Sequence, residues 1–168
     1  MKISALEEYG LRCLVQLARA GAVPVASHAS ADAPAADATT LSARQIAERE
    51  GLTVEYASQI LAELRRVGLV ASIRGVRGGF RLSIPAREIT VGALFRALDG
   101  PIADNLCESF TGNRDICAHS EGCAVRPVWS ELQRRIYGFL DGVSVGDIAA
   151  GALEARSLVL PLATLRRR

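Results

Sequence analysis

Three cysteines stand close together in the second half of the chain, with a type and spacing better suited to chemistry than to packing. Cys107, Cys117 and Cys123 form a C-x9-C-x5-C series in a stretch rich in Gly, Asn and Asp. Thiolates are the nucleophilic and metal-binding form of cysteine and the ordinary ligands of iron–sulfur clusters. A loop can bend three of them around one centre where a helix cannot, and three ligands leave one position open. His119, between the second and third cysteines, would complete a zinc site instead. A disulfide between two of the three would make a thiol switch. His28, the only other histidine, lies in a stretch of low complexity. Cys13 falls on a helical stripe with Leu6, Tyr9, Leu17 and Ala20 and reads as a small buried hydrophobe.

A second group suits nucleic acid. The formal net charge is only +2, yet 19 of the 20 basic residues are Arg, and residues 64–87 hold Arg65, Arg66, Arg74, Arg77, Arg81 and Arg87 without an acid. A one-sign cluster in a balanced chain is the footprint of phosphate contact, although a solvated face would look the same. Just upstream, Tyr56, Ser58 and Gln59 offer donors and acceptors for base edges, and Gln pairs bidentately with adenine.

The elements that must hold these groups follow from periodicity and capping. Residues 3–20 read as an amphipathic helix, with Glu7, Glu8, Arg12 and Arg19 off its apolar stripe. Residues 21–40 carry two Pro, lack periodicity and read as a flexible insertion. Ser42 with Gln45 is a capping-box signal opening a helix that stops at Gly51. Thr53 caps a second helix to about Val67, closed by Gly68, with Val54, Ala57, Ile60, Leu61 and Leu64 on its apolar face. Strands are expected at 69–73 and 80–84, joined by the turn Arg74-Gly75-Val76-Arg77-Gly78-Gly79. A short helix follows at 90–99, then the cysteine loop. A long helix over 125–142 carries Val128, Trp129, Leu132, Ile136, Phe139 and Leu140, and Ser144 opens a last short one.

Helix, tight turn, helix and hairpin together predict a mainly α chain built on a winged helix-turn-helix. In such a module the second helix enters the major groove. The Gly-rich hairpin then forms a wing whose Arg74 and Arg77 suit the potential of a minor groove. The expected units are a DNA-binding domain at 1–101, a cluster loop at 102–124, a seam-forming helical region at 125–150 and a tail at 151–168. No run of about 20 apolar residues is present, and the N-terminus turns acidic at Glu7-Glu8, so a cytoplasmic protein without membrane contact is expected. HExxH and phosphate-loop motifs are lacking and only two histidines are present, which argues against an enzyme.

The strings Gly51-Leu52-Thr53-Val54-Glu55-Tyr56-Ala57-Ser58-Gln59-Ile60-Leu61, Gly68-Leu69-Val70-Ala71-Ser72-Ile73-Arg74-Gly75, Gly78-Gly79-Phe80 and Ile89-Thr90-Val91-Gly92 resemble one bacterial family. It is the family of winged-helix regulators that includes IscR, NsrR and RirA, and the similarity runs over about residues 1–150, broken by the insertion. The resemblance implies a homodimer held by the long C-terminal helix, a palindromic operator in double-stranded DNA, and a sensory 2Fe–2S or 4Fe–4S cluster. The signal would be iron, redox state or nitric oxide. The candidate DNA-contacting set is Ser42, Thr53, Glu55, Tyr56, Ser58, Gln59, Arg65, Arg74, Arg77, Gly78 and Gly79. The candidate cluster ligands are Cys107, Cys117 and Cys123. Their first gap is longer than is typical of IscR. For the fourth ligand, some members use a carboxylate near the N-terminus of the partner subunit, where this chain has Glu8. IscR uses a histidine three residues after its last cysteine, where this chain has Arg126. His119 and His28 remain as alternatives. A cluster-free repressor of the same fold, working as a thiol switch, is the competing reading.

Overall fold

The computed structural model describes residues 3–21, 39–75, 78–98 and 123–152. Most of the 21–40 insertion, the wing tip with Arg77, the loop carrying Cys107, Cys117 and His119, and residues 153–168 lie outside them.

Helix α1 (Ala5–Arg19) starts at a capping box: the Ser4 backbone N–H donates to Glu7 Oε2 at 2.7 Å, and the Glu7 N–H donates to Ser4 Oγ at 3.2 Å. Glu7 is therefore not on a solvated face as its place off the stripe suggested. It is 3 % exposed, its carboxylate committed to the helix end. Helix α2 (Ala43–Glu50) opens on the expected Ser42–Gln45 box and closes on Gly51, whose φ of 66° is the left-handed conformation a terminating glycine supplies. Thr53 caps α3 (Val54–Arg66), its hydroxyl accepting the Tyr56 N–H at 3.2 Å.

On α3, Ala57, Ile60, Leu61 and Leu64 point inward as their spacing requires. Val54 does not. It is the first helical residue and stays exposed, while Tyr56 turns half-inward instead. Strands β1 (Val70–Ile73) and β2 (Gly79–Leu82) pair antiparallel with Val70 opposite Leu82 and Ile73 opposite Gly79. The second strand ends before Ser83–Ile84, ahead of Pro85 and a 3₁₀ turn at Ala86–Glu88. Leu41 adds a bridge to Phe80, with N–H···O distances of 3.1 and 2.8 Å in the two directions. The segment leading into α2 is thereby tied to the base of the hairpin, a contact that no local pattern announces.

Helix α4 (Val91–Leu98) follows Thr90, whose hydroxyl accepts the Ala93 N–H at 3.0 Å. Helix α5 (Arg126–Leu140) begins with Pro127 in its first turn, where the missing N–H costs nothing. The short α6 (Val145–Ala149) is opened by a third capping box, Ser144 with Asp147. Two backbone bonds, Val91 N–H to Val143 O and Val145 N–H to Ile89 O, fasten the start of α6 to the approach to α4. The core joins α1, α2, α3 and α4 to the hairpin through Leu14, Leu17, Ile46, Ile60, Leu64, Leu82 and Leu94, all fully buried. Burying each such side chain contributes about 1.5–3 kcal/mol. Among the described residues no helix is long and apolar enough to cross a membrane.

Candidate functional site

The turn Gly51–Thr53 sets α3 across α2, and the start of α3 faces outward. Thr53, Glu55, Ser58 and Gln59 are exposed there. Ser58 Oγ donates to the Val54 carbonyl at 2.7 Å, which occupies its proton and leaves oxygen lone pairs outward. Tyr56 divides its roles: its backbone takes the Thr53 cap, and its ring meets Tyr9 of α1 edge-on, with centroids 5.8 Å apart at 80°. Ser42 is half-buried and its hydroxyl accepts the Gln45 N–H, so its first task is to cap α2.

The hairpin stands beside this surface. Arg65 near the end of α3 reaches Ser72 of β1, at 3.5 Å between Nη1 and Oγ. Arg66 is paired with Glu63 at 2.6 Å. Arg65 and the exposed Arg74 have no carboxylate within ion-pairing distance among the described residues, so their charge is available to a phosphate. Glycine is required at the turn for space. A Cβ on Gly78 would strike the Ile73 carbonyl oxygen, and one on Gly79 would lie 2.7 Å from the Leu41 carbonyl oxygen. The Gly78 N–H donates to Gly75 O at 2.9 Å, closing the base of the wing.

Of the expected cluster ligands, Cys123 and Glu8 are described. Cys123 is half-buried at the entry to α5, and its carbonyl accepts the Arg126 N–H at 3.2 Å. Glu8 is exposed on α1 and accepts from Arg12 at 2.8 Å. Arg12 also reaches Glu50 Oε2 at 3.7 Å and stands 5.7 Å over the Tyr9 ring. The hydrogen bond and charge of Glu8, with help from Glu50, hold the Arg12 guanidinium firmly in its charged form. Cys13 is fully buried, and desolvation pushes its thiol up to about 12, so it is a packing residue rather than a thiolate donor. No group of three His, Cys, Asp or Glu side chains is gathered among the described residues.

Sequence reasoning missed three arrangements. The Ser4–Glu7 cap had a legible signal in the Ser-x-x-Glu spacing. The Tyr9–Tyr56 contact and the Arg96–Asp141 ion pair, with its two hydrogen bonds of 2.8 and 2.6 Å, join residues far apart in the chain.

Comparison with known proteins agrees with this architecture. The HTH-type transcriptional regulator IscR of Aliivibrio salmonicida is 38 % identical over 103 residues, which cover 61 % of this chain and 59 % of that protein. IscR of Serratia proteamaculans is 36 % identical over 103 residues, 61 % of this chain and 60 % of its own length. The aligned part thus spans about three-fifths of these relatives. Among solved structures, T. potens IscR superposes with a TM-score of 0.63 at 30 % identity, covering 93 % of this chain and 91 % of that one. CymR, the global cysteine regulator of B. subtilis, superposes with a TM-score of 0.66 at 28 % identity, covering 90 % and 98 %. The relatives are named as regulators of transcription, not as enzymes. Residues 3–151 match the Rrf2 family, described as an iron-dependent transcriptional regulator, and the chain belongs to that family.

Proposed function

We propose that this protein is a homodimeric regulator that binds a palindromic DNA operator, with an affinity set by an iron–sulfur cluster. The observation that carries the DNA reading is the outward start of α3, where Ser58 and Gln59 stand exposed beside the charges of Arg65 and Arg74, which no carboxylate among the described residues pairs. Gln59 reads a base edge; Thr53, Glu55, Ser58 and the hydroxyl of Tyr56 complete the contact. Arg65, Arg74, Arg77 and the Gly78–Gly79 backbone hold phosphate and groove. Ser42 presents the N-terminus of α2 to the backbone of the duplex.

The exposed stripe of Val128, Trp129, Leu132 and Phe139 on α5, with Val125 just before it, supports the dimer, because a second copy is the simplest cover for an apolar face repeating at helical spacing. Two copies then place two α3 helices in successive major grooves about 34 Å apart.

The donor set of Cys107, Cys117, Cys123 and Glu8 of a second copy fits iron: three soft thiolates and one carboxylate, with Cys13 sequestered in the core. When bound, a cluster supplies a centre whose gain, loss or oxidation reports iron, redox state or nitric oxide. The chain's own part is to release Glu8 from Arg12 and to hold Cys123 at the base of α5. Relatives named IscR and the match to a family described as iron-dependent support this reading. The similarity to CymR, whose oxidised form from Staphylococcus aureus superposes with a TM-score of 0.61 at 28 % identity, favours the thiol-switch alternative. Iron bound to the anaerobically purified protein separates the two.

Gln59→Ala tests the reading head. It is expected to cost about 1–3 kcal/mol of operator binding and to relax preference at one base position, leaving the salt dependence unchanged. Competition binding against operators substituted at single positions measures this; equal loss on every duplex would remove Gln59 from base reading.

A further inference from the structure

Among the described residues, helix α5 packs on the rest of the fold at its C-terminal end. Over its first turns Ala124 to Ser130 are all exposed, whereas Tyr137, near its end, is buried. Beyond the helix, Val143 and Val145 are bonded to Val91 and Ile89. With 15 residues at about 1.5 Å each, α5 is an arm of roughly 22 Å, with Cys123 at its far end.

A set of side chains at that end holds the arm against α4. From α4, Arg96 sends two parallel hydrogen bonds, 2.8 and 2.6 Å, to the carboxylate of Asp141 at the end of α5. Its guanidinium lies 4.1 Å above the Tyr137 ring one turn earlier. The Asp141 carboxylate in turn rests on Gly92, so closely that a Cβ there would collide with Oδ1. A fork, a stacked ring and a glycine seat define direction as well as distance, which a point charge would not. The pair is partly exposed, so its worth lies in orientation more than in stability.

We propose that Gly92, Arg96, Tyr137 and Asp141 form the pivot that sets the angle between α5 and the reading head, and hence the half-site spacing that the dimer accepts. Arg96 and Asp141 are positioning residues for DNA recognition, although they stand outside the set that meets the duplex. The inference rests on the dimer reading above.

The test uses the full-length protein to select sites from a pool of randomised 40-base-pair duplexes. Wild type is expected to select an inverted repeat at one spacing. Arg96→Gln and Asp141→Asn should select the same half-sites at several spacings. The affinity advantage of the preferred spacing over one base pair longer should fall about tenfold, the size of a typical coupling between sites. Gly92→Ala, which leaves every charge in place but displaces the Asp141 carboxylate, should do the same. Should one variant fail to fold, the other two carry the measurement. A merely structural role would weaken binding at all spacings alike. Folded variants that keep the single wild-type spacing overturn the pivot. A wild-type selection without an inverted repeat overturns the dimer reading, and the pivot with it.

Discussion

Leu64→Ala is expected to lower the thermal midpoint of the protein by roughly 4–20 °C, a loss of about 2–5 kcal/mol. Leu64 has no solvent exposure and occupies the crossing of α3 with α1: its Cδ2 lies 3.7 Å from where a Cβ on Gly10 would stand. The α1 side of that crossing is a glycine, with no side chain to move into the space left behind, so truncation leaves a cavity. Domains of this kind have only about 5–15 kcal/mol of total stability. The effect is a large share of it. Val54→Ala on the same helix should change stability by less than about 0.5 kcal/mol, because Val54 is exposed. Calorimetry on the two variants checks both, and comparable losses would contradict the assignment of the α3 inward face.

Cys117→Ala is expected to strip colour and bound iron from the anaerobically purified protein. Its operator affinity should then match that of cluster-free wild type, a shift of about 5–150-fold from the loaded form. One thiolate of three cannot be replaced by the neighbouring carboxylates without changing the donor set that favours iron. Cys13→Ala should keep both colour and iron, since that thiol is sealed in the core and burial pushes it up to about 12. Absorbance and metal analysis of the two variants side by side make the comparison. A Cys117→Ala protein that stays brown would move the cluster away from this loop.

What could be read in advance was whatever depends on near neighbours in the chain. Ser42 with Gln45, Thr53 before α3, Gly51 and Gly68 after helices, and the apolar spacing of Ala57, Ile60, Leu61 and Leu64 are all local, and the fold follows them. Glu7 shows where a helical wheel misleads: its position called for solvent, yet capping drew it to 3 % exposure. Tyr56 shows another limit, since a residue with the chemistry to meet a base also carries a ring, and Tyr9 claims it. The seat of Asp141 on Arg96 and Gly92 links positions 45 and 49 apart, and the Leu41–Phe80 bridge spans α2, α3 and β1. No periodicity marks such pairs. The cysteine series could be read as metal-binding chemistry from thiolate type and spacing, while the choice among iron, zinc and a disulfide depends on a donor geometry that spacing does not define.

In the proposed regulator, an output surface on α3 and the hairpin is joined to an input at the cysteine loop through α5, whose C-terminal end is held against α4. The most direct test of that link is an anaerobic anisotropy titration of the selected operator at fixed salt. Cluster-loaded protein, with iron and labile sulfide counted, is compared with the same preparation after chelation. Two separate curves are expected, displaced by about 5–150-fold in Kd. Coincident curves on a protein shown to carry the cluster would contradict that link.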